Sequence, residues 1–205
     1  MCGRYYVDDD TAREIEKLVR QVDEKMRRTA AASKMEITAK DIYPTETAPI
    51  LAASASGSGL ECRWQRWGFP GFQKGKVIFN ARCESAMKKT MFREAVLHRR
   101  AVIPAAWFYE WDRNKQKHTF SRKDGDALLM AGCYRKYEDG DRFVILTTQA
   151  NASMEPVHDR MPLILEREEA VDWLLEDGAA EELLRKLPPL LERRAEYEQM
   201  SIFGI

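Results

Sequence analysis

Between Ala101 and Leu165, short apolar segments alternate with charged turns, and this run restricts the chain to one kind of architecture. Val102 to Trp111, His118 to Arg122, Ala127 to Tyr134 and Phe143 to Thr148 are rich in β-branched and aromatic residues and have strand lengths. Asp124-Gly125 turns between two of them, and Glu138-Asp139-Gly140-Asp141 has hairpin chemistry. Connections this short join antiparallel neighbours, since a parallel crossover needs a dozen or more residues. A polar loop carrying Asn151 and His158-Asp159-Arg160-Met161-Pro162 follows, and Leu163 to Leu165 resumes a strand.

The remainder supplies helices and further strands. A short strand over Cys2 to Val7 leads into a helix whose capping box is Thr11 with Glu14. Ile15, Leu18, Val19, Val22 and Met26 share its apolar face, its charged side is solvated, and Arg27-Arg28 close it. Ile42 to Thr45 is extended and interrupted by Pro44, and Thr47 to Ala53 is a strand ending in a Ser/Gly loop. Leu60 to Phe69 and Val77 to Asn80 are strands, and a helix follows from Ser85. Glu168 to Leu175 and Glu181 to Leu187 are helical, before Pro188-Pro189 breaks the pattern. The expectation is a single α+β domain over 1–205. It has a mainly antiparallel, barrel-like sheet core with flanking helices, and residues 176–205 form a helical C-terminal segment.

Composition removes several function classes. No apolar run reaches the length of a membrane span and no signal-peptide core is present, so a cytoplasmic protein is expected. Cys2, Cys62, Cys83 and Cys133 form no C-x-x-C pair, and three histidines are scattered, so no metal, disulfide framework or cofactor is expected. The 33 basic and 33 acidic residues cancel, so nucleic acid would be held by a local patch. A monomer is expected.

The chemistry gathers at a few polar positions. Cys2 directly follows the initiator methionine and becomes the N-terminal residue once Met1 is removed. Its α-amine and thiol then sit on adjacent carbons, a pair that condenses with an aldehyde to an imine and closes to a thiazolidine. The plain alternative is a small hydrophobe at a strand start. Glu110 lies between Trp107-Phe108-Tyr109 and Trp111, either a desolvated carboxylate able to shuttle protons or a surface glutamate on an amphipathic strand. His158 is a loop histidine, solvated or catalytic, and Asn80 is a hydrogen-bonding residue or a turn residue. In Leu60 to Phe69, alternation puts Trp64 and Arg66 on one face and Arg63 and Trp67 on the other. Arginine interleaved with tryptophan suits phosphate contact beside base stacking, or else core rings beside surface charge.

Five segments together resemble the SOS response-associated peptidase (SRAP) family of abasic-site processing proteins. They are Met1-Cys2-Gly3-Arg4, Trp67-Gly68, Asn80-Ala81-Arg82 with Glu84, Trp107 to Trp111, and His158 to Pro162, in the family's order over residues 1–175. The resemblance implies that Cys2 forms a thiazolidine with the ring-opened sugar of an abasic site in single-stranded DNA. Met1 is first removed by autoproteolysis or an aminopeptidase. It also implies that Asn80, Glu110 and His158 line the pocket, that Arg4 and Arg82 hold flanking phosphates, and that Trp67 and Pro44 support unstacked bases. Glu176 to Ile205 lacks recognisable counterparts of the strand and basic segment that finish longer relatives. Two other readings remain: an amidohydrolase or peptidase with Cys2 as N-terminal nucleophile, and a non-covalent single-strand binder.

Overall fold

The computed structural model describes residues 2–25, 37–55 and 59–196. Strand β1 (Tyr5–Val7) runs into helix α1 (Asp9–Lys25). The helix is capped by Asp8 instead of Thr11: the Asp8 carboxylate accepts the Thr11 N–H at 2.9 Å, and the Thr11 hydroxyl accepts the Asp8 N–H at 3.3 Å. An anionic cap satisfies the free N–H groups and complements the positive helix end in one residue. Ile15, Leu18 and Val22 are buried as the periodicity requires, while Met26 and Arg27-Arg28 lie outside the described residues. The charged side is not wholly solvated. Glu14 is buried, and Arg167 binds it through two nitrogens at 2.6 and 2.9 Å.

There follow β2 (Lys40–Ile42), β3 (Thr47–Ala53), β4 (Leu60–Trp67), β5 (Phe69–Pro70), β6 (Val77–Ile78) and β7 (Asn80–Arg82). Two expected strands are broken. Gly68, at φ 112°, splits Leu60 to Phe69, and a side chain there would collide with the Val77 methyl at 2.2 Å. Phe79 separates Val77–Ile78 from Asn80–Arg82, which places Asn80 on a strand and not in a turn. The helix expected from Ser85 is two, α2 (Cys83–Ala86) and α3 (Thr90–His98).

The strand-rich run gives β8 (Arg100–Ala105), β9 (Trp107–Trp111), β10 (Lys117–Ser121), β11 (Leu128–Arg135) and β12 (Arg142–Gln149), then β13 (Arg160–Pro162) and β14 (Ile164–Leu165). Helix α4 (Arg167–Leu175) opens with a capping box between Glu166 and Glu169. A 3₁₀ turn (Asp177–Ala179), α5 (Ala180–Leu183) and β15 (Glu192–Ala195) complete the described chain. The last strand corrects the expected all-helical end: β15 pairs antiparallel with β10. Asn151 anchors the segment leading to it, its amide donating to the Pro188 and Pro189 carbonyls at 2.9 Å each.

The strands form a barrel-like ring. β4, β3, β8, β11 and β12 are linked pairwise antiparallel, and a parallel pairing of β12 with β4 closes the circle. β7 also lies parallel to β12, and the other pairings among the described residues are antiparallel. A second sheet has the order β15-β10-β9-β1-β2. On its buried face Tyr5 and Phe120 both stand opposite Phe108, and the two phenylalanine rings stack at 5.1 Å. This sheet carries Glu110, and Cys2 just before β1 is buried in the common core.

Candidate functional site

Three positions far apart in the chain, Cys2, Asn80 and Glu110, are brought together at the start of β1. Cys2 is 0 % exposed, its S–H points to the Arg4 carbonyl at 3.8 Å, and its own carbonyl accepts the Asn80 amide N–H at 2.8 Å. β7 supplies Asn80 because its parallel pairing with β12 holds Asn80 beside Ile145. The Asn80 side-chain oxygen is buried with no protein partner, an open acceptor next to the Cys2 backbone. Burial pushes the Cys2 thiol up, and the nearby Glu110 carboxylate raises it further, against smaller opposing effects of the Arg4 carbonyl and the terminal amine. At neutral pH the sulfur is therefore a thiol, and Glu110 is within electrostatic reach of it. Glu110 is 5 % exposed on the inner face of β9, which excludes the surface-glutamate reading.

His158 sits at the turn before β13. Its Nδ1 accepts the Arg160 backbone N–H at 2.9 Å and also lies 2.9 Å from an Asp159 oxygen. One ring nitrogen cannot accept from the first and donate to the second. The Arg160 N–H is fixed in the backbone, while the Asp159 side chain is 86 % exposed and can turn to water. Nδ1 is thus the acceptor, and the neutral ring carries its proton on Nε2. A cleft of about 650 Å³ opens beside His158, lined also by Trp111, Asp112, Arg113, Glu155 and Val157. Arg160 is buried and grips Glu84 through two nitrogens at 2.6 and 2.9 Å, tying α2 to the His158 loop.

The candidate DNA-contacting residues separate into three groups. Arg82 is exposed at the end of β7. Arg4 is half-buried, ion-paired with Asp41 and stacked 5.0 and 4.7 Å from the Tyr43 and Tyr109 ring centres. A guanidinium has five N–H donors, so this pairing leaves capacity for a phosphate. Pro44 is partly buried in a turn closed by Glu46 N–H to the Tyr43 carbonyl at 3.1 Å. The next residue, Thr45, has φ 82°, where turns of this shape favour glycine, and its N–H is fixed to the Trp67 carbonyl at 2.8 Å. Trp67 departs from expectation. It is 0 % exposed, packed against Tyr5, Phe79 and Phe143, with its indole N–H on the Phe79 carbonyl at 2.9 Å. No base can stack on it in this conformation. The alternation along β4 holds, and it is Trp64 that faces outward.

Three neighbours of the site escaped the sequence reading: Asp41, Tyr109 and His118. His118 stands directly opposite Glu110 on β10, and the only prior signal was its two-residue spacing from Phe120. Among the described residues no cluster of His, Cys, Asp and Glu could hold a metal, and no helix is long and apolar enough to cross a membrane.

A ring of strands with a second sheet beside it, and a buried cysteine at position 2 held next to an asparagine and a carboxylate, defines an α+β protein with a polar cluster in its core. The chain belongs to the SOS response associated peptidase (SRAP) family, whose family model matches residues 1–202. That match extends past the 1–175 of the recognised motifs and takes in β15. The Bacillus subtilis abasic site processing protein YoaM is 32% identical over 152 residues, 67% of each chain. The Escherichia coli protein YedK, which bears the same description, is 31% identical over 57% of this chain and 56% of its own. The matched stretches thus span between about half and two thirds of these relatives' lengths. A Bordetella bronchiseptica protein of solved structure superposes with a TM-score of 0.74 at 25% identity, covering 96% of this chain and 100% of its own. A phage-related protein from the same organism gives 0.75 at 19% identity, covering 96% and 95%, and shares the fold.

Proposed function

We propose that this chain acts on abasic sites in single-stranded DNA and bonds to them covalently through Cys2. The observation that carries this reading is the Cys2 thiol, buried within reach of the Glu110 carboxylate, with the Cys2 carbonyl held by Asn80. Loss of Met1, by autoproteolysis or by an aminopeptidase, frees the Cys2 amine. The thiol is protonated, so the amine attacks first: its nitrogen bonds to the aldehyde carbon of the opened sugar, and the carbinolamine loses water to give an imine. The sulfur then adds to the imine carbon as the S–H bond breaks. The C=N pair takes up a proton at nitrogen, and a five-membered thiazolidine closes.

Each neighbour has a part in this sequence. The open Asn80 oxygen accepts an N–H of the free amine and aims its lone pair. Glu110 gives a proton to the departing water, the amine N–H is released to solvent as the imine forms, and the sulfur's proton passes to the imine nitrogen as the ring closes. His158 presents Nε2–H, so it donates to a sugar oxygen during ring opening. Lyase cleavage from the imine would need a base for the sugar C2′ proton, and Glu110 is the group chemically suited to it. Arg82 and Arg4 hold phosphates, with Pro44 beside them. The missing base removes most of the unstacking cost, which favours single strands as substrate.

The test is intact-protein mass spectrometry of Met1-free protein incubated with abasic and with intact single strands. An oligonucleotide mass gained only with the abasic strand supports the proposal. No adduct with turnover of small amides identifies an N-terminal-nucleophile hydrolase, and complexes that dissociate on denaturation identify a simple binder. Either result overturns it.

A further inference from the structure

We propose that His118 is a positioning residue for Glu110, returning a proton to it during covalent capture; this rests on the function proposed above. The inner face of β9 and β10 carries two cross-strand pairs in succession, Phe108 with Phe120 and Glu110 with His118. The first is a stacked aromatic pair, and the second is a carboxylate facing an imidazole, both buried. Side chains directly opposite on one face of an antiparallel pair lie about 5 Å apart at Cβ, close enough for the two groups to interact.

Asp112 orients the ring. One of its oxygens accepts the backbone N–H groups of Asn114 and Gln116, at 2.8 and 2.9 Å, which locks the carboxylate in the β9–β10 turn. The other oxygen lies 3.5 Å from His118 Nε2. With Nε2–H directed to Asp112, Nδ1 is the nitrogen left to exchange a proton. Nδ1 is buried and has no partner. A polar atom left in this state inside a packed sheet is unusual and calls for a function. The other charged groups nearby flank Ala195, which faces His118 from β15: Arg194, ion-paired with Glu192, and Glu196, held by Lys117. Glu110 is therefore the ionisable group standing opposite the ring from the neighbouring strand.

The proton balance is simple. Glu110 in its acid form protonates the departing water and is left as a carboxylate. The His118 imidazolium transfers its Nδ1 proton to that carboxylate, leaving a neutral ring with the remaining proton on Nε2 against Asp112. Solvent at the adjacent cleft, which Asp112 lines, re-protonates the ring.

The experiment follows capture of a labelled abasic single strand over a range of DNA concentrations, using Met1-free wild type, His118→Gln, His118→Ala and Glu110→Gln, with thermal melts of each. His118→Gln keeps the size and polarity of the ring but cannot carry a proton. Its limiting rate should fall about tenfold or more, as for loss of other groups that orient a reacting side chain, with an unchanged half-saturating DNA concentration. His118→Ala should be equally slow and recover in added free imidazole; if it does not fold, the Gln variant decides alone. A His118→Gln limiting rate equal to wild type, or a folded His118→Ala that imidazole fails to rescue, overturns the proposal. If His118→Gln is normal while Glu110→Gln is inactive, only the role of His118 fails; wild-type capture by Glu110→Gln removes the reading of the pocket itself.

Discussion

Trp67 offers a sharp separation between packing and recognition. In Trp67→Phe the phenyl ring keeps part of the contact with Tyr5, Phe79 and Phe143, whose ring centres lie 5.1, 5.7 and 6.3 Å from the indole. The hydrogen bond to the Phe79 carbonyl is lost, at about 1 kcal/mol. That carbonyl also accepts the Ile145 N–H at 3.1 Å, so it is not left bare and the larger penalty of an unsatisfied buried group does not apply. The smaller ring adds a cavity term of about 1 kcal/mol, against about 3–5 kcal/mol in all for truncation of a buried tryptophan to alanine. The sum, about 2 kcal/mol, corresponds to a fall of about 4–8 °C in Tm for a chain of this size. The assay pairs thermal and urea unfolding, followed by circular dichroism, with anisotropy of a labelled single strand at a temperature where every variant is folded. Stability should drop and DNA affinity should stay within about twofold, less than 0.5 kcal/mol. An unchanged Tm with lost affinity would show that the ring meets DNA instead of packing in the core.

Other outcomes are equally specific. Arg82→Ala should flatten the log–log salt dependence of single-strand binding by about 0.7, the value of one phosphate contact; an unchanged slope takes Arg82 off the binding surface. Burial pushes the Cys62, Cys83 and Cys133 thiols up to about 12 and raises Cys2 as well. Thiol labelling of the folded protein should therefore keep rising with pH past the point, about 8.5, where the unfolded chain levels off. By the same linkage, the unfolded state gives up protons first, so stability is full below about 8.5 and falls as pH rises towards 12; a plateau in labelling at pH 9 would contradict it. Glu110→Gln removes a charge that raises the Cys2 thiol, so Cys2 should alkylate faster at a given pH, as peptide mapping would report. Arg167→Leu leaves the Glu14 carboxylate buried with Lys17, at 3.6 Å, as its remaining ion-pair partner among the described residues, and should cost about 2 kcal/mol, discounted because the arginine side is partly open; a denaturant midpoint equal to wild type would refute this.

The strands were legible because their period-two pattern and turn chemistry are local. Thr47–Ala53 matched its expected bounds, and the hairpin around Gly140 lies between β11 and β12. What escaped depends on partners far away. Phe79 interrupts its strand where its carbonyl takes up the Ile145 N–H, and β15 forms because Asn151 holds Pro188 and Pro189 in place. A four-residue strand with the sequence Glu-Arg-Arg-Ala has no apolar alternation to announce it. The site divides in the same way. Cys2, Asn80 and Glu110 were found as residue types and lie together, but the burial of Trp67, the His158 tautomer and the pairing of His118 with Glu110 are properties of register.

The distance along the chain between Cys2 and the residues that enclose it has a consequence for biosynthesis. At about 5–20 residues per second, 205 residues take about 10–40 s to translate. Cys2 leaves the ribosome well before β15, which covers the far edge of the strand facing Glu110. If Met1 is lost during synthesis, as the function proposed above requires of the mature protein, the nascent chain bears a 1,2-aminothiol with no protein around it, open to any free aldehyde in its surroundings. On the function proposed above, closing the fold surrounds Cys2 and ends that interval of indiscriminate chemistry. A chain that stalls or folds slowly should accumulate small-aldehyde adducts at its first residue.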